Sequence, residues 1–77
     1  MNAQITDVII HTRDQLSDNQ FAELSEHVYK NEGIVSLSRN VHTPRFLMVV
    51  YNAGNTRAKS ILTAVTGLGY EASLVGI

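Results

Sequence analysis

Two strand–helix–strand patterns of similar length follow one another in this 77-residue chain, and few folds accommodate that order in so little sequence. Ile5 to Ile10 is rich in β-branched residues and reads as a strand. His11 to Gln15 is polar and reads as a loop. A helix start follows at Leu16-Ser17-Asp18-Asn19-Gln20-Phe21. Ser17 is a good N-cap, and Gln20 stands at the third helical position, which makes a capping box. Leu16 and Phe21 stand where a hydrophobic staple closes over such a cap, and Asp18 adds the negative charge that a helix N-terminus favours. Phe21, Leu24 and Val28 then recur at helical spacing as one apolar stripe. The pattern predicts that this helix fades near Lys30 to Glu32 and that Gly33 closes it.

The second unit repeats the pattern with different residues. Ile34 to Arg39 reads as a strand, with Val35 and Leu37 expected on one face and Ser36 and Ser38 on the other. Asn40 to Pro44 is a turn holding the only proline. Arg45 to Tyr51 is the strongest strand, and Asn52 to Asn55 is a loop containing Gly54. Asn55 or Thr56 is the expected cap of a second helix, whose buried stripe is Ala58, Ile61, Leu62, Val65 and Leu68. Gly69 marks its end. Tyr70 to Val75 closes the chain as a strand, with Ala72 and Leu74 alternating against Glu71, Ser73 and Val75.

The order strand, helix, strand, strand, helix, strand fits a four-stranded antiparallel sheet with both helices on one face. That is the ferredoxin-like βαββαβ sandwich of the α+β class, with right-handed crossovers setting its topology. The length predicts a single domain, residues 1–77. Folding at this size buries about 60–65% of the unfolded surface, so large internal cavities are not expected. Six basic residues against seven acidic ones give a net charge of −1, which lacks the basic excess of a nucleic-acid binder. No apolar run approaches the roughly 20 residues of a membrane span. Met1 to Gln4 lacks a basic segment leading into an apolar stretch, so no signal peptide is expected and a cytoplasmic location is.

Several short pieces, in order, resemble the heavy-metal-associated domain, the module of copper chaperones and of the tails of metal-pumping ATPases. Tyr51-Asn52 stands where that family has Tyr-Asp at the end of its third strand. Ile61-Leu62-Thr63-Ala64-Val65 stands at its Ile-x-x-Ala-Ile-like stripe, Leu68-Gly69-Tyr70-Glu71-Ala72 at its Gly-Tyr-x-Ala closing, and Gly33-Ile34 at the Gly-Val that opens the second strand. The resemblance covers nearly the whole chain. It implies the same sandwich, and a metal loop M-x-C-x-x-C between the first strand and the first helix. Counting back from Gly33 puts Gln15, Ser17 and Gln20 at the methionine and the two cysteines.

The chain contains no cysteine, which removes thiolate metal sites, disulfides and cysteine nucleophiles together. Cu(I) is soft and wants thiolates, which a hydroxyl and an amide do not replace. Cu(I) transfer is therefore not expected, and no family ligand is carried over to a position here. His11, His42 and Asp14 are the donors that the topology could bring near one another, since the first loop and the turn between the middle strands share one end of the sheet. Imidazole suits Zn, Ni or Cu(II), but two distant histidines with no i, i+4 pair are read first as exposed loop residues. No cofactor is assigned.

No catalytic set emerges either. Arg13 beside a helix N-terminus invites an anion reading, as in phosphatases of the acylphosphatase type, which share this architecture. No glycine stands between Ile10 and Phe21 to shape a phosphate loop, so that enzyme reading is set aside. Glu23 and Glu26 lie on a helix beside Lys30 in ordinary surface patterning.

The strongest strand carries the remaining signal. If Leu47, Val49 and Tyr51 face the helices, then Phe46, Met48 and Val50 point to the open side of the sheet. Ile9 joins them from the first strand and Val75 from the last. Contiguous apolar surface on a face that ordinarily meets water marks an interaction site. The expectation is a non-catalytic binding or regulatory module that acts through protein contacts, with a partner protein or a homo-oligomer held at Ile9, Phe46, Met48 and Val50. The alternative is a divalent metal-binding protein using His11 and His42.

Overall fold

A computed structural model describes residues 4–75. The elements are β1 (Ile5–Thr12), α1 (Asp18–Val28), β2 (Ile34–Arg39), β3 (Phe46–Asn52), α2 (Ala58–Thr66) and β4 (Ala72–Val75). The strands form one antiparallel sheet in the order β2-β3-β1-β4, and the two helices cover one side of it: the ferredoxin-like βαββαβ sandwich.

The core lies between sheet and helices. Val8 and Ile10 from β1, and Leu47, Val49 and Tyr51 from β3, meet Leu24 and Val28 of α1 and Ile61 and Val65 of α2. Ile10, Leu24, Val28, Leu47, Val49 and Ile61 have no exposed surface at all. The strand parity expected for β3 and β4 holds, because a strand in a one-sided sandwich turns alternate side chains inward. Ala58, Leu62 and Leu68 flank the buried pair of α2, as its stripe predicts.

β1 is longer than its sequence suggests. His11 and Thr12 belong to the strand, not to a loop. The central position of β1 explains this, since neighbours on both sides offer acceptors. Thr12 N–H donates to the Arg45 carbonyl at 2.8 Å and Arg13 N–H to the Glu71 carbonyl at 2.9 Å. The Thr12 side chain turns into the core with its hydroxyl donating to the Asp14 carbonyl, so a polar residue is buried without an unmet hydrogen bond.

Other boundaries shift for local reasons. α1 stops at Val28, ahead of Lys30, once its last apolar residue is buried; Lys30 and Asn31 form turns back to His27 and Val28. Gly33 reverses the chain at φ +94°, and a Cβ there would stand 2.6 Å from Cβ of Asn55, so this position requires glycine. β2 carries a bulge: Ile34 pairs with Tyr51 and Ser36 with Val50, leaving Val35 as the extra residue. Val35 is therefore 53% exposed and does not share the core side with Leu37, which packs on the core with Ile34. The N-cap of α2 is Arg57, not Asn55 or Thr56, and no side chain caps this helix.

Candidate functional site

In the heavy-metal-associated family the loop between β1 and α1 holds the metal. Here contacts of another kind fasten it. Ser17 Oγ accepts from Gln20 N–H at 3.1 Å and Gln20 Oε1 accepts from Ser17 N–H at 2.8 Å, closing the capping box. Leu16 is buried, and Phe21 packs on the core cluster. Arg39 reaches over from β2 and donates to the Leu16 carbonyl at 2.8 Å and to Asp18 Oδ1 at 2.7 Å. The two positions that the resemblance aligns with the cysteines thus carry a hydroxyl and an amide, each accepting from the other residue's backbone N–H.

The three other candidate donors lie on three separate features. His11 stands on β1 with its ring tilted against that of Phe46, centroids 4.9 Å apart. Asp14 follows the end of β1, and its carbonyl accepts the Thr12 hydroxyl. His42 is exposed in the β2–β3 turn, its backbone N–H donating to Asn40 Oδ1. Among the described residues no three His, Cys, Asp or Glu side chains gather into a group able to hold a metal ion.

The open side of the sheet is the other candidate, and its register arranges it in rows across the strands. Ser38, Met48, Ile9 and Val75 face one another in sequence from β2 to β4. The next row toward the Pro44 end is Phe46, His11 and Ser73; the row on the other side is Ser36, Val50 and Asp7. Phe46 is 36% exposed, Met48 40% and Val75 41%, while Ile9 and Val50 are half-buried among them. Ile9, Phe46, Met48 and Val75, together with Ser38 and Thr43, outline a shallow, mainly apolar groove of about 510 Å³. Phe46, Met48, Val50, Ile9 and Val75 therefore stand on the side away from the helices, as expected.

Two features of this face escape the sequence reading. Ile5 is 54% exposed and extends the apolar surface past Asp7; its parity with Ile9 on β1 was the available signal. His11 also belongs to the face, and only the extension of β1 puts it there. Beside it, Arg13, Arg45, Glu71 and Ser73 form a second, polar hollow, in which Arg13 pairs with Glu71 at 2.9 Å.

No family model matches the chain, and no curated protein matches it by sequence. Solved structures do. Oxidized MerP from Ralstonia metallidurans CH34 superposes with a TM-score of 0.78 at 17% identity, over 92% of this chain and 97% of that one. A copper binding domain from HMA7, a P-type ATPase, gives 0.79 at 11% identity, over 91% and 93%. The CsoZ metallochaperone gives 0.74 at 20% identity, over 90% and 97%. Identities this low speak to architecture, and the architecture is that of the heavy-metal-associated domain, carried here by a sequence without a cysteine.

Proposed function

We propose that this chain is a non-catalytic binding or regulatory module, acting in the cytoplasm through protein contacts on the open sheet face. The observation that carries the reading is the row Met48–Ile9–Val75 with Phe46 beside it, apolar side chains on the sheet side that no element among the described residues covers. Burying a Phe or Met side chain is worth roughly 1.5–3 kcal/mol, so a fitting partner gains substantially by covering them. The chaperone and ATPase-domain neighbours support a role in contact with other proteins. The fastened β1–α1 loop supports a role without Cu(I).

The test compares tagged wild-type protein with a variant carrying Phe46→Ser and Met48→Ser together, each used to capture proteins from its own host's extract with quantitative detection. The expected result is a folded variant that loses a protein the wild type retains, followed by amide shifts on β1 and β3 when that protein is titrated in. Equal capture by both forms overturns the reading, and so does unfolding of the variant.

A further inference from the structure

The open face is charged unevenly, and the unevenness follows its rows. On β1, Asp7, Ile9 and His11 alternate with the buried Val8, Ile10 and Thr12, and Arg13 follows directly after the strand. An acid thus stands at one end and a base at the other, with an apolar residue between. Arg45 adds a second base at the Arg13 end, beside the hollow that His11 and Ser73 line. Glu71 is taken up by Arg13. Among the described residues neither Asp7 nor Arg45 has an ion-pair partner.

Such a face is complementary to itself. Consider a two-fold axis in the plane of the interface, running across the strands between the Ile9 row and the His11 row. A second copy turned over about it brings the partner's Asp7 to the Arg13 and Arg45 end, and the partner's Phe46 to Met48. We infer that a second copy of this chain covers the open face, in an isologous face-to-face dimer sealed at each end by Asp7 against the opposite copy's Arg45. This rests on the reading above, that the open face is a protein-contact surface, and names its occupant.

The edges of the sheet favour face-on over edge-on pairing. The β2 edge is interrupted by the Val35 bulge, and its Leu37 N–H already donates to the Tyr29 hydroxyl at 2.9 Å. β4 offers 4 residues among those described. At ordinary strand spacing and rise the four strands span roughly 400 Å² per copy, about half the area per partner of a standard specific interface, which makes this a weak, transient dimer. The dimer is accordingly concentration-dependent and weakens as salt screens its end pairs.

Sedimentation equilibrium from micromolar to millimolar protein tests this, with Asp7→Arg and Arg45→Asp as separate variants. Each variant sets like charges opposite one another twice, and self-association is expected to fall about tenfold or more. Mixed together, the two variants restore both pairs and recover the wild-type affinity. Wild type that stays monomeric at millimolar concentration overturns the dimer, yet leaves the protein-contact reading standing if the Phe46 and Met48 variant still loses a captured protein. Variants that dimerise like wild type, or a mixture that does not recover, also overturn it. Should a variant fail to fold, amide shifts of wild type on dilution decide instead: they are expected at Ile9, Phe46 and Met48, and shifts confined to α1 and α2 overturn the dimer.

Discussion

Arg39 lies over Phe21, its guanidinium carbon 4.6 Å from the ring centroid, while the same group donates to the Leu16 carbonyl at 2.8 Å. One side chain on β2 thereby joins three parts of the α1 entry: Leu16 before the cap, the first-turn acid Asp18 and the Phe21 ring. In a metal-binding relative of this fold, ligand bonds to an ion could order the same loop. Here a cation from the chain's own β2 fastens it.

Replacing Arg39 by Ala is expected to lower stability by about 1.5–3 kcal/mol, chiefly through the lost charge-assisted hydrogen bond to Leu16, with a smaller loss from the ring contact. Asp18→Asn is expected to cost less than about 1 kcal/mol, because an exposed ion pair and a first-turn acid each contribute little. The Asp18 side chain is 97% exposed. Urea denaturation of both variants checks the order; a larger loss from Asp18→Asn contradicts this account of the clamp.

Ser17→Ala removes the hydroxyl that accepts from Gln20 N–H and is expected to cost about 0.5–2 kcal/mol. Thermal and urea unfolding measure it. Partner capture should be unchanged, since Ser17 lies at the start of α1 and not on the open face. A loss of binding greater than the loss of stability would assign Ser17 a functional part.

The two faces of β3 should respond oppositely to substitution. Leu47→Ala opens a cavity in the core and is expected to cost about 2–5 kcal/mol. Phe46→Ser with Met48→Ser should leave the monomer folded and change its stability by about 1 kcal/mol or less, as exposed positions do. Far-ultraviolet circular dichroism with urea titration distinguishes the two outcomes.

Cu(I) titrated under reducing conditions is expected to give no complex that survives a competing Cu(I) chelator. The chain has no thiolate, Met48 stands on the open face without a second sulfur beside it among the described residues, and Met1 lies outside the described residues. A stoichiometric, chelator-resistant complex contradicts this. Zn²⁺ titrated in parallel and followed by NMR is expected to leave His11 and His42 unshifted; localised shifts at both would favour the divalent-metal reading instead.

Local sequence determined most of the elements. The Ser17–Gln20 capping box, the apolar stripe of α1, the alternation of Phe46 to Tyr51 and the Gly33 reversal are each written in residues a few positions apart, because capping, helical period and strand parity are local properties. The order of those elements then narrowed the sandwich, and with it the two faces of β3. Tertiary structure decided what depended on neighbours distant in the chain. β1 runs on through His11 and Thr12 because Arg45 and Glu71, just before β3 and β4, supply acceptors. Val35 leaves the core side because a bulge against Val50 shifts the parity of β2. Arg39 clamps the α1 entry from a strand 21 residues away from Asp18. None of these is visible in a local pattern, since each hydrogen bond or contact has its second partner elsewhere in the chain, and only the folded sheet brings the two together.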